Sequence, residues 1–257
     1  MKVCVFASGS GGNCLLLRGR KTNILIDAGI SMRRTVSALA QAGLTMRDIG
    51  GVLITHEHSD HISGLQMLVK HHAVDIYAPR TLANRLRGLI PQAEDYIKVI
   101  PIETPFMIGG LEICAYRTPH DVDESVCYRV REDGCFSLAT DMGCVTESVR
   151  RCLDGADTVL IESNHDEEML RYGPYPVFLK RRILSDRGHL SNENCAKLAA
   201  ELALNGTKRI ILGHLSRENN TPELAVRASS AVLSETDAEL YCAPMHGFLE
   251  VAVGAER

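Results

Sequence analysis

Short apolar runs separated by polar turns dominate the pattern of this chain. Such runs, when bounded by glycine, asparagine or charged residues, are typical of buried strands. We predict strands at residues 2–7, 14–18, 23–27, 51–55, 157–162, 209–213, 239–243 and 248–253. Residues 75–140 alternate further short strands with one helix at about residues 81–89.

Helical periodicity marks several of the segments between these strands. We expect Val36 on the buried face of the first helix, and Asp60 and His61 in the first turn of the second. Ser191 and Thr221 are residue types that cap helix N-termini, and a proline follows Thr221 at the first helical position. Helices are therefore predicted at residues 31–42, 59–71 and 192–204 and from residue 222 onwards.

The distribution of these elements predicts how the chain is organised. No proline- or serine-rich linker and no low-complexity segment interrupts residues 1–257, so we predict one domain. Strands at both ends with helices dispersed between them favour two packed sheets with helices outside, although periodicity alone leaves a doubly wound sheet open. Three buried strands lead into the histidines His56, His165 and His214, which we expect along one sheet edge.

Composition narrows the classes of function and location. The formal net charge is −4 at pH 7, which excludes a globally basic nucleic-acid surface but leaves a local basic patch open. No apolar run approaches the roughly 20 residues that span a bilayer, so we expect no membrane partner. The first residues, MKVCVFASGSGGN, hold an apolar stretch too short for a secretory signal. We therefore expect a cytoplasmic protein with nine reduced cysteines.

Metal-ligand side chains crowd the segment THEHSDH, which follows a predicted strand. His56 and His58 are one residue apart and can point to the same side of an extended loop, whereas Asp60 and His61 open a helix. Imidazole with carboxylate suits zinc, manganese or iron better than calcium or magnesium. One ion cannot take all four groups in comfortable geometry, so we predict two divalent transition-metal ions that activate a bridging water. Further candidate ligands at strand ends are His120, Asp141 and His214.

The order of these residues resembles the HxHxDH pattern of the metallo-β-lactamase superfamily, with a downstream histidine, aspartate and histidine. The resemblance implies an α/β fold, a four-layered αβ/βα sandwich. Glu57, which lies between ligands, is interpreted as a solvated or supporting carboxylate. The resemblance implies a first metal bound by His56, His58 and His120, a second bound by Asp60, His61 and His214, and Asp141 as the bridge.

Segments beyond the ligands resemble the YycJ-type (WalJ) metallo-hydrolases of bacteria: SGSGGNC, LATDMG, IESNHDEEML, GHLSNENCA and GHLSRENNTPELA. This resemblance covers nearly the whole chain and implies a nuclease, with 5′→3′ exonuclease action on double-stranded DNA and DNA favoured over RNA. Relatives of that family include the tRNA 3′-processing endonuclease and a cyclic-phosphate phosphodiesterase.

The resemblance also assigns Asp60 and His189 as catalytic residues. His189 matches the proposed proton donor of the tRNA-processing relative, and a histidine can protonate a leaving alkoxide near neutral pH. The alternative is a histidine at a helix entry that is hydrogen-bonded to the backbone.

The basic stretch VFLKRRILSDRGH leads to His189 and predicts contacts with phosphates, while a solvated helix face is the alternative. Tyr172, Tyr175 and Phe178 offer base stacking, but their apolar spacing favours packing. The candidate substrate-binding residues are Lys180, Arg181, Arg182, Arg187, Ser191, His165 and Asn164.

The sequence also bears on functions other than that of a nuclease. A small-molecule phosphodiesterase of the same fold stays open as the main alternative. A carbonyl or thioester hydrolase is disfavoured, because the segment at His120 is TPHDVDES where thioesterases of this kind carry PGHTxGH. A non-catalytic module is disfavoured by the intact ligand set. The turn containing Ser8, Ser10 and Asn13 lacks the P-loop Lys-Ser/Thr, so we predict no nucleotide cofactor and expect the turn to support the metal loops.

Overall fold

The computed structural model describes residues 1–254, which form two seven-stranded sheets. In chain order the strands are β1 (Lys2–Ala7), β2 (Cys14–Arg18), β3 (Asn23–Ile26), β4 (Ile49–Leu53), β5 (Ile76–Pro79), β6 (Ile97–Ile100), β7 (Phe106–Ile108), β8 (Leu111–Arg117), β9 (Val126–Arg131), β10 (Cys135–Ala139), β11 (Thr158–Glu162), β12 (Arg209–Gly213), β13 (Glu239–Cys242) and β14 (Leu249–Ala252). The first sheet has the order β14-β1-β2-β3-β4-β5-β6, and the second has the order β13-β12-β11-β10-β9-β8-β7.

Helices connect many of the strands. They are α1 (Met32–Gln41), α2 (Ser59–Ile62), α3 (Leu65–His71), α4 (Arg80–Leu89), α5 (Glu147–Leu153), α6 (Glu167–Tyr172), α7 (Val177–Ile183), α8 (Asn192–Leu204) and α9 (Pro222–Leu233), with 3₁₀ turns at Met46–Asp48 and Pro91–Tyr96. The predicted caps of α8 and α9 are confirmed, since the side chains of Ser191 and Thr221 accept hydrogen bonds from the first turns of these helices. Among residues 1–254, no helix has the length and apolar character needed to cross a bilayer.

Apolar side chains form three layers that separate the sheets and helices. The inner layer, which includes Leu17 and Leu160, is buried between the two sheets. Leu39 belongs to an outer layer between the first sheet and α1, α3 and α4, and Leu198 to the layer between the second sheet and α5, α8 and α9. The predicted four-layered αβ/βα sandwich is confirmed. The last three residues of the predicted domain, 255–257, lie outside the described residues.

Parallel strands bring several loops to one edge of the molecule. Strands β3 to β6 run parallel to one another in the first sheet, as do β10 to β13 in the second. The carboxyl ends of β4, β10 and β12 lead directly to His56, Asp141 and His214. Ligands and substrates of open parallel sheets ordinarily bind beyond these ends.

The predicted helix at residues 59–71 is divided, because the chain passes too close to a neighbouring loop to continue. The Gly64 amide donates to the Ala28 carbonyl, and a Cβ at this position would lie 2.0 Å from the Ile30 carbonyl oxygen. The predicted face of α1 also differs, since Val36 is 40% exposed. Both differences arise from tertiary contacts that a periodic pattern does not contain.

Candidate active site

Three histidines meet above the carboxyl end of β4. His56 is buried at the end of the strand, His58 follows in the loop, and His120 enters from the segment after β8. Nε2 of His56 lies 3.0 Å from Nδ1 of His58, which lies 3.3 Å from Nε2 of His120. The structure thus brings together the three predicted ligands of the first ion.

A second cluster adjoins the first. Nε2 of His61 lies 3.2 Å from Oδ2 of Asp60 and 3.3 Å from Oδ2 of Asp141. His214 completes it, with Nε2 at 3.9 Å from Oδ2 of Asp60 and Nδ1 at 3.0 Å from Oδ2 of Asp141. The other oxygen of Asp141, Oδ1, lies 3.8 Å from Nε2 of His120 in the first cluster. Asp141 therefore lies between the two clusters, where the sequence predicts the bridging ligand.

The donor atoms of both clusters fit divalent cations. Burial and the neighbouring histidines hold the pKa of His56 well below its ordinary value, so its imidazole is in the neutral form that binds metal. Burial raises the pKa of Asp141, but the nearby histidine charges outweigh it and keep that carboxyl ionised. Among residues 1–254, Oδ2 of Asp141 and Nδ1 of His214 are buried and lie 3.0 Å apart without the geometry of a hydrogen bond. Buried polar atoms of this kind require a partner, and a cation held between the clusters would supply one.

Buried hydrogen bonds hold the ligand loops in place. Nδ1 of His61 lies 2.8 Å from Oδ2 of Asp27, whose other oxygen accepts a bond from the Thr55 amide. A carboxylate on the far nitrogen orients a ligating imidazole and increases its basicity. Burial lowers the pKa of His61, but the charges of Asp27 and Asp141 outweigh it and raise that pKa well above its ordinary value.

The glycine-rich turn after β1 supports the same loops, as expected from the sequence. Asn13 donates its backbone amide to the Asp60 carbonyl at 2.7 Å. Ser8 Oγ accepts a hydrogen bond from the His214 amide at 2.8 Å. Gly29, in the loop after β3, donates its amide to the Asn13 carbonyl at 2.8 Å and packs so closely against Asp60 that a Cβ would lie 1.6 Å from the Asp60 carbonyl oxygen. The turn therefore serves the site through its backbone and short side chains.

Backbone strain is concentrated at this edge. Asp27, Asp141 and His214 have φ values of 61°, 57° and 54°, in the left-handed region that residues other than glycine rarely adopt. Such conformations cost of order 1–3 kcal/mol each and persist where the surrounding structure imposes them, which is common at functional sites. The strained backbone directs two ligands and one supporting carboxylate inward.

His189 is paired with a buried glutamate at the border of the clusters. Its Nδ1 lies 2.7 Å from Oε1 of Glu162, and the second oxygen of Glu162 accepts amide bonds from Met142 and Leu190. Burial lowers the pKa of His189, but the charge and hydrogen bond of Glu162 outweigh it and raise that pKa to about 9. The His189 side chain thus contacts a carboxylate. The alternative from the sequence, a histidine hydrogen-bonded to the backbone at a helix entry, is wrong.

The sequence places Glu162 with Asn164 and His165 at a strand end that faces the site, but it does not predict the partnership of Glu162 with His189. Glu162 is the last residue of β11 and is fully buried. The sequence does contain a signal for this partnership. Glu162 ends the apolar run TVLI, just before Asn164 and His165, and a carboxylate buried at such a position requires a specific partner.

Helix α7 forms the other side of an open cleft over the two clusters. Tyr175, Leu179 and Arg182 line this cleft together with His58, Asp60, Asp141 and His189. Arg182 forms an ion pair with Asp121, whose Oδ1 lies 3.4 Å from Nε2 of His120.

The other predicted basic residues differ in whether their side chains are free to bind phosphate. Lys180 donates from Nζ to the Arg171 and Gly173 carbonyls, both at 2.8 Å, and thus closes the end of α6. Arg187 donates from Nε to the His120 carbonyl at 2.8 Å, so it supports the ligand loop. Arg181 is exposed and forms no ion pair with any residue in the range 1–254.

The three remaining substrate-binding candidates lie deeper than the sequence suggests. Asn164 lines the cleft and donates to the His214 carbonyl at 2.9 Å. Ser191 and His165 are 3% and 1% exposed, and neither lines the cleft. Ser191 caps α8, and the two residues form an isolated backbone bridge. Their placement differs from the predicted contact with substrate, because the bridge holds both inside the protein.

Two of the three aromatic residues near α7 are exposed, so the prediction that they pack inside is wrong for Tyr172 and Phe178. Tyr172 is 80% exposed and Phe178 is 73% exposed, while Tyr175 lines the cleft. No residue of α7 is buried. The apolar spacing therefore reflects a solvent-facing surface beside the cleft.

Comparison with known proteins agrees with this architecture. Residues 22–215 match the family described as "Beta-lactamase superfamily domain". The exodeoxyribonuclease YycJ of Bacillus anthracis is 40% identical over 235 residues, covering 90% of this chain and 88% of that protein. The exodeoxyribonuclease WalJ of Streptococcus pneumoniae is 38% identical over 242 residues, covering 92% of this chain and 89% of that protein.

A solved structure shows the same fold at low identity. Zn(2+)-bound PqqB from Methylobacterium extorquens matches with a TM-score of 0.77 and 18% identity, over 98% of this chain and 100% of that chain. The family match, the two relatives and the shared fold lead to one assignment. This chain belongs to the beta-lactamase superfamily and, within it, to the family of the YycJ and WalJ exodeoxyribonucleases.

Proposed function

We propose that this protein is a metal-dependent exodeoxyribonuclease that hydrolyses double-stranded DNA in the 5′→3′ direction. The observation that carries this proposal is the position of Asp141 between two ligand clusters, with the His189–Glu162 pair beside it. The relatives that cover most of the chain are named exodeoxyribonucleases, which supports DNA as the substrate.

The proposed cofactors are two divalent transition-metal ions. His56, His58 and His120 would hold one, Asp60, His61 and His214 would hold the other, and Asp141 would serve both. Zinc, manganese and iron suit these donors, and the structurally similar PqqB contains zinc. Ions bound there supply Lewis acidity and lower the pKa of water, which suits hydrolysis of an anionic phosphodiester.

The side chains divide the remaining chemistry between them. Asp60 and Asp141 face the cleft as carboxylates, and Asp60 orients the attacking water and accepts its proton. Glu162 holds the proton of His189 on Nδ1 and keeps the imidazole charged at neutral pH. The Nε2–H of His189 donates its proton to the leaving oxygen of the broken P–O bond.

Further parts of the proposal concern the setting of the enzyme. Arg181, Arg182 and the exposed Phe178 of α7 contact the DNA strand, and no nucleotide cofactor is required. We assign residues 1–257 to one domain. We place the protein in the cytoplasm, where its cysteines stay reduced; all nine are free, and most are buried.

A cleavage panel tests the proposed function. Purified protein is expected to contain about two transition-metal ions per chain and to release nucleotides from duplex DNA after reconstitution. His189→Ala is expected to lower the turnover number for DNA by about 10²–10⁴-fold while the metal content stays the same. The panel compares end-labelled duplex DNA, single-stranded DNA, RNA and bis(p-nitrophenyl) phosphate. If only bis(p-nitrophenyl) phosphate is hydrolysed, the protein is a small-molecule phosphodiesterase and the nuclease proposal is wrong.

A further inference from the structure

Two arginines converge on one histidine beside the segment that follows the ligand His214. Arg34 belongs to α1, Arg217 follows the ligand His214, and His246 lies between β13 and β14. Nη2 of Arg34 lies 2.7 Å from Nδ1 of His246, and Nη2 of Arg217 lies 3.2 Å from Nε2 of the same ring. Three separate segments therefore bring their basic side chains to one point.

The hydrogen bonding within this trio is incomplete. A guanidinium group only donates, and a neutral imidazole has one accepting nitrogen. His246 can therefore accept from Arg34 or from Arg217, but not from both. Protonation of the ring would remove even that acceptor and add a third positive charge. An anion between the two guanidinium groups resolves this arrangement, because it accepts from both arginines at once.

Carboxylates do not neutralise these arginines. Within residues 1–254, neither Arg34 nor Arg217 forms an ion pair with an acidic side chain. Other surface arginines are paired with carboxylates. Nη1 of Arg150 lies 2.5 Å from Oε2 of Glu201, and Nη2 of Arg151 lies 2.6 Å from Oε1 of Glu103. The convergence of two unpaired arginines is therefore distinct from the ordinary surface pairs of this protein.

One member of the trio, Arg217, is adjacent to the active-site cleft. Ser10 and Ser216 line the cleft, and Gly11 and Arg217 are the next residues in the chain. Arg217 passes directly over Gly11, where a Cβ would lie 1.9 Å from Nη2 of the arginine. The absence of a side chain at residue 11 therefore sets the position of this guanidinium group beside the cleft.

We infer that Arg34, Arg217 and His246 form a phosphate clamp that holds one phosphate group of a nucleic-acid strand engaged in the cleft. This inference rests on the proposed nuclease function, and it adds a binding site separate from the basic residues of α7. Two guanidinium groups that can donate to one anion suit a phosphate, either at the strand terminus or within the strand.

Binding of DNA to the metal-loaded enzyme tests the clamp. The ligand is a short duplex with cleavage-resistant phosphorothioate linkages, prepared with a 5′-phosphate or a 5′-hydroxyl. Arg34→Ala and Arg217→Ala are each expected to raise the Kd about tenfold and to reduce the salt dependence of binding by about one phosphate contact. Gly11→Ala is expected to weaken binding in the same direction, because its methyl group displaces Arg217 without straining the backbone. Arg33→Ala, at the exposed neighbour of Arg34, is the matched control.

The two ends of the duplex identify the source of the phosphate. A clamp for the terminal phosphate gives tighter wild-type binding to the 5′-phosphorylated duplex, and the variants abolish that preference. A clamp for an internal phosphate gives equal losses with both duplexes. Variants that retain the wild-type Kd and salt dependence would overturn the inference.

Failure of the nuclease proposal has a different signature. If the wild-type enzyme neither binds nor cleaves DNA or RNA, the proposed function fails, and titration with inorganic pyrophosphate then tests the clamp alone. Binding by the wild type that Arg217→Ala abolishes would support an anion site. No detectable binding by the wild type would overturn it.

Discussion

The two walls of the cleft are built in opposite ways. On one wall, the proposed metal ligands His56, His61, His120, Asp141 and His214 are at most 3% exposed, and hydrogen bonds and strained backbone fix their loops. On the other wall, α7 has no buried residue, and Phe178 is 73% exposed. Regions with few buried contacts open at low free energy, whereas buried and cross-linked regions do not.

This difference separates chemistry from substrate binding. Hydrolysis requires ligand atoms held within fractions of an ångström, because misplaced groups lose much of their effect. A polymeric substrate requires a surface that adapts as successive nucleotides pass. We therefore expect changes on the buried wall to abolish turnover and changes on the α7 wall to alter affinity.

Asp141→Asn is expected to cause the largest loss. The variant keeps the shape of the side chain but removes the charge that serves both clusters, so bound metal falls and DNA hydrolysis drops by about a thousandfold or more. Metal content and initial cleavage rates measure the effect, and thermal unfolding checks that the variant is folded. Asp95→Asn, at an exposed carboxylate, is the control. Full activity in metal-depleted Asp141→Asn protein would contradict the role of the buried wall.

Glu162→Gln is expected to cause the next largest loss and to change its pH dependence. Because Glu162 raises the pKa of His189 to about 9, its removal returns that pKa toward the ordinary value near 6.5. The protonated imidazole is then lost at lower pH, so the alkaline limb of the turnover profile moves toward acid.

Profiles of turnover number against pH compare this variant with the wild type. Bound cations lower the pKa of His189 in both proteins, so the difference between the two limbs is the relevant quantity. Glu193→Gln, at an exposed glutamate of α8, is the control. Superimposed alkaline limbs would show that Glu162 does not act through His189.

Phe178→Ala tests the adaptable wall and is expected to have a smaller effect. Stacking of a base on an aromatic ring is worth about 1–3 kcal/mol, so KM for DNA should rise about tenfold while the turnover number changes little. Leu204→Ala, at an apolar residue that is 80% exposed on α8, is the control. A fall in turnover number without a change in KM would show that Phe178 affects the hydrolysis step and not the binding of DNA.

Arg181→Ala is expected to have the smallest effect. Its side chain is exposed and lacks an ion-pair partner among residues 1–254, so it is free to contact a phosphate. Affinity for DNA should fall about threefold, and the slope of log affinity against log salt should decrease by about one unit. An unchanged slope would exclude a phosphate contact at this position.

The sequence predicts the buried wall much better than the exposed one. Apolar runs define β1, β2 and β12, and ligand types in a fixed order identify the site, because both depend on local composition. The break at Gly64 and the partnership of Glu162 with His189 depend on residues that are distant in sequence. Helix α7 misleads for a related reason: apolar spacing at Phe178 is also compatible with a surface that binds a partner.

Digestion of 5′-end-labelled duplex DNA by metal-reconstituted enzyme tests whether the protein is a metal-dependent 5′→3′ exonuclease. We expect immediate release of labelled mononucleotide, retention of the unlabelled strand interior at early times, and no release with Asp141→Asn. Intact duplex in the presence of a full metal complement, or equal release by Asp141→Asn, would contradict it.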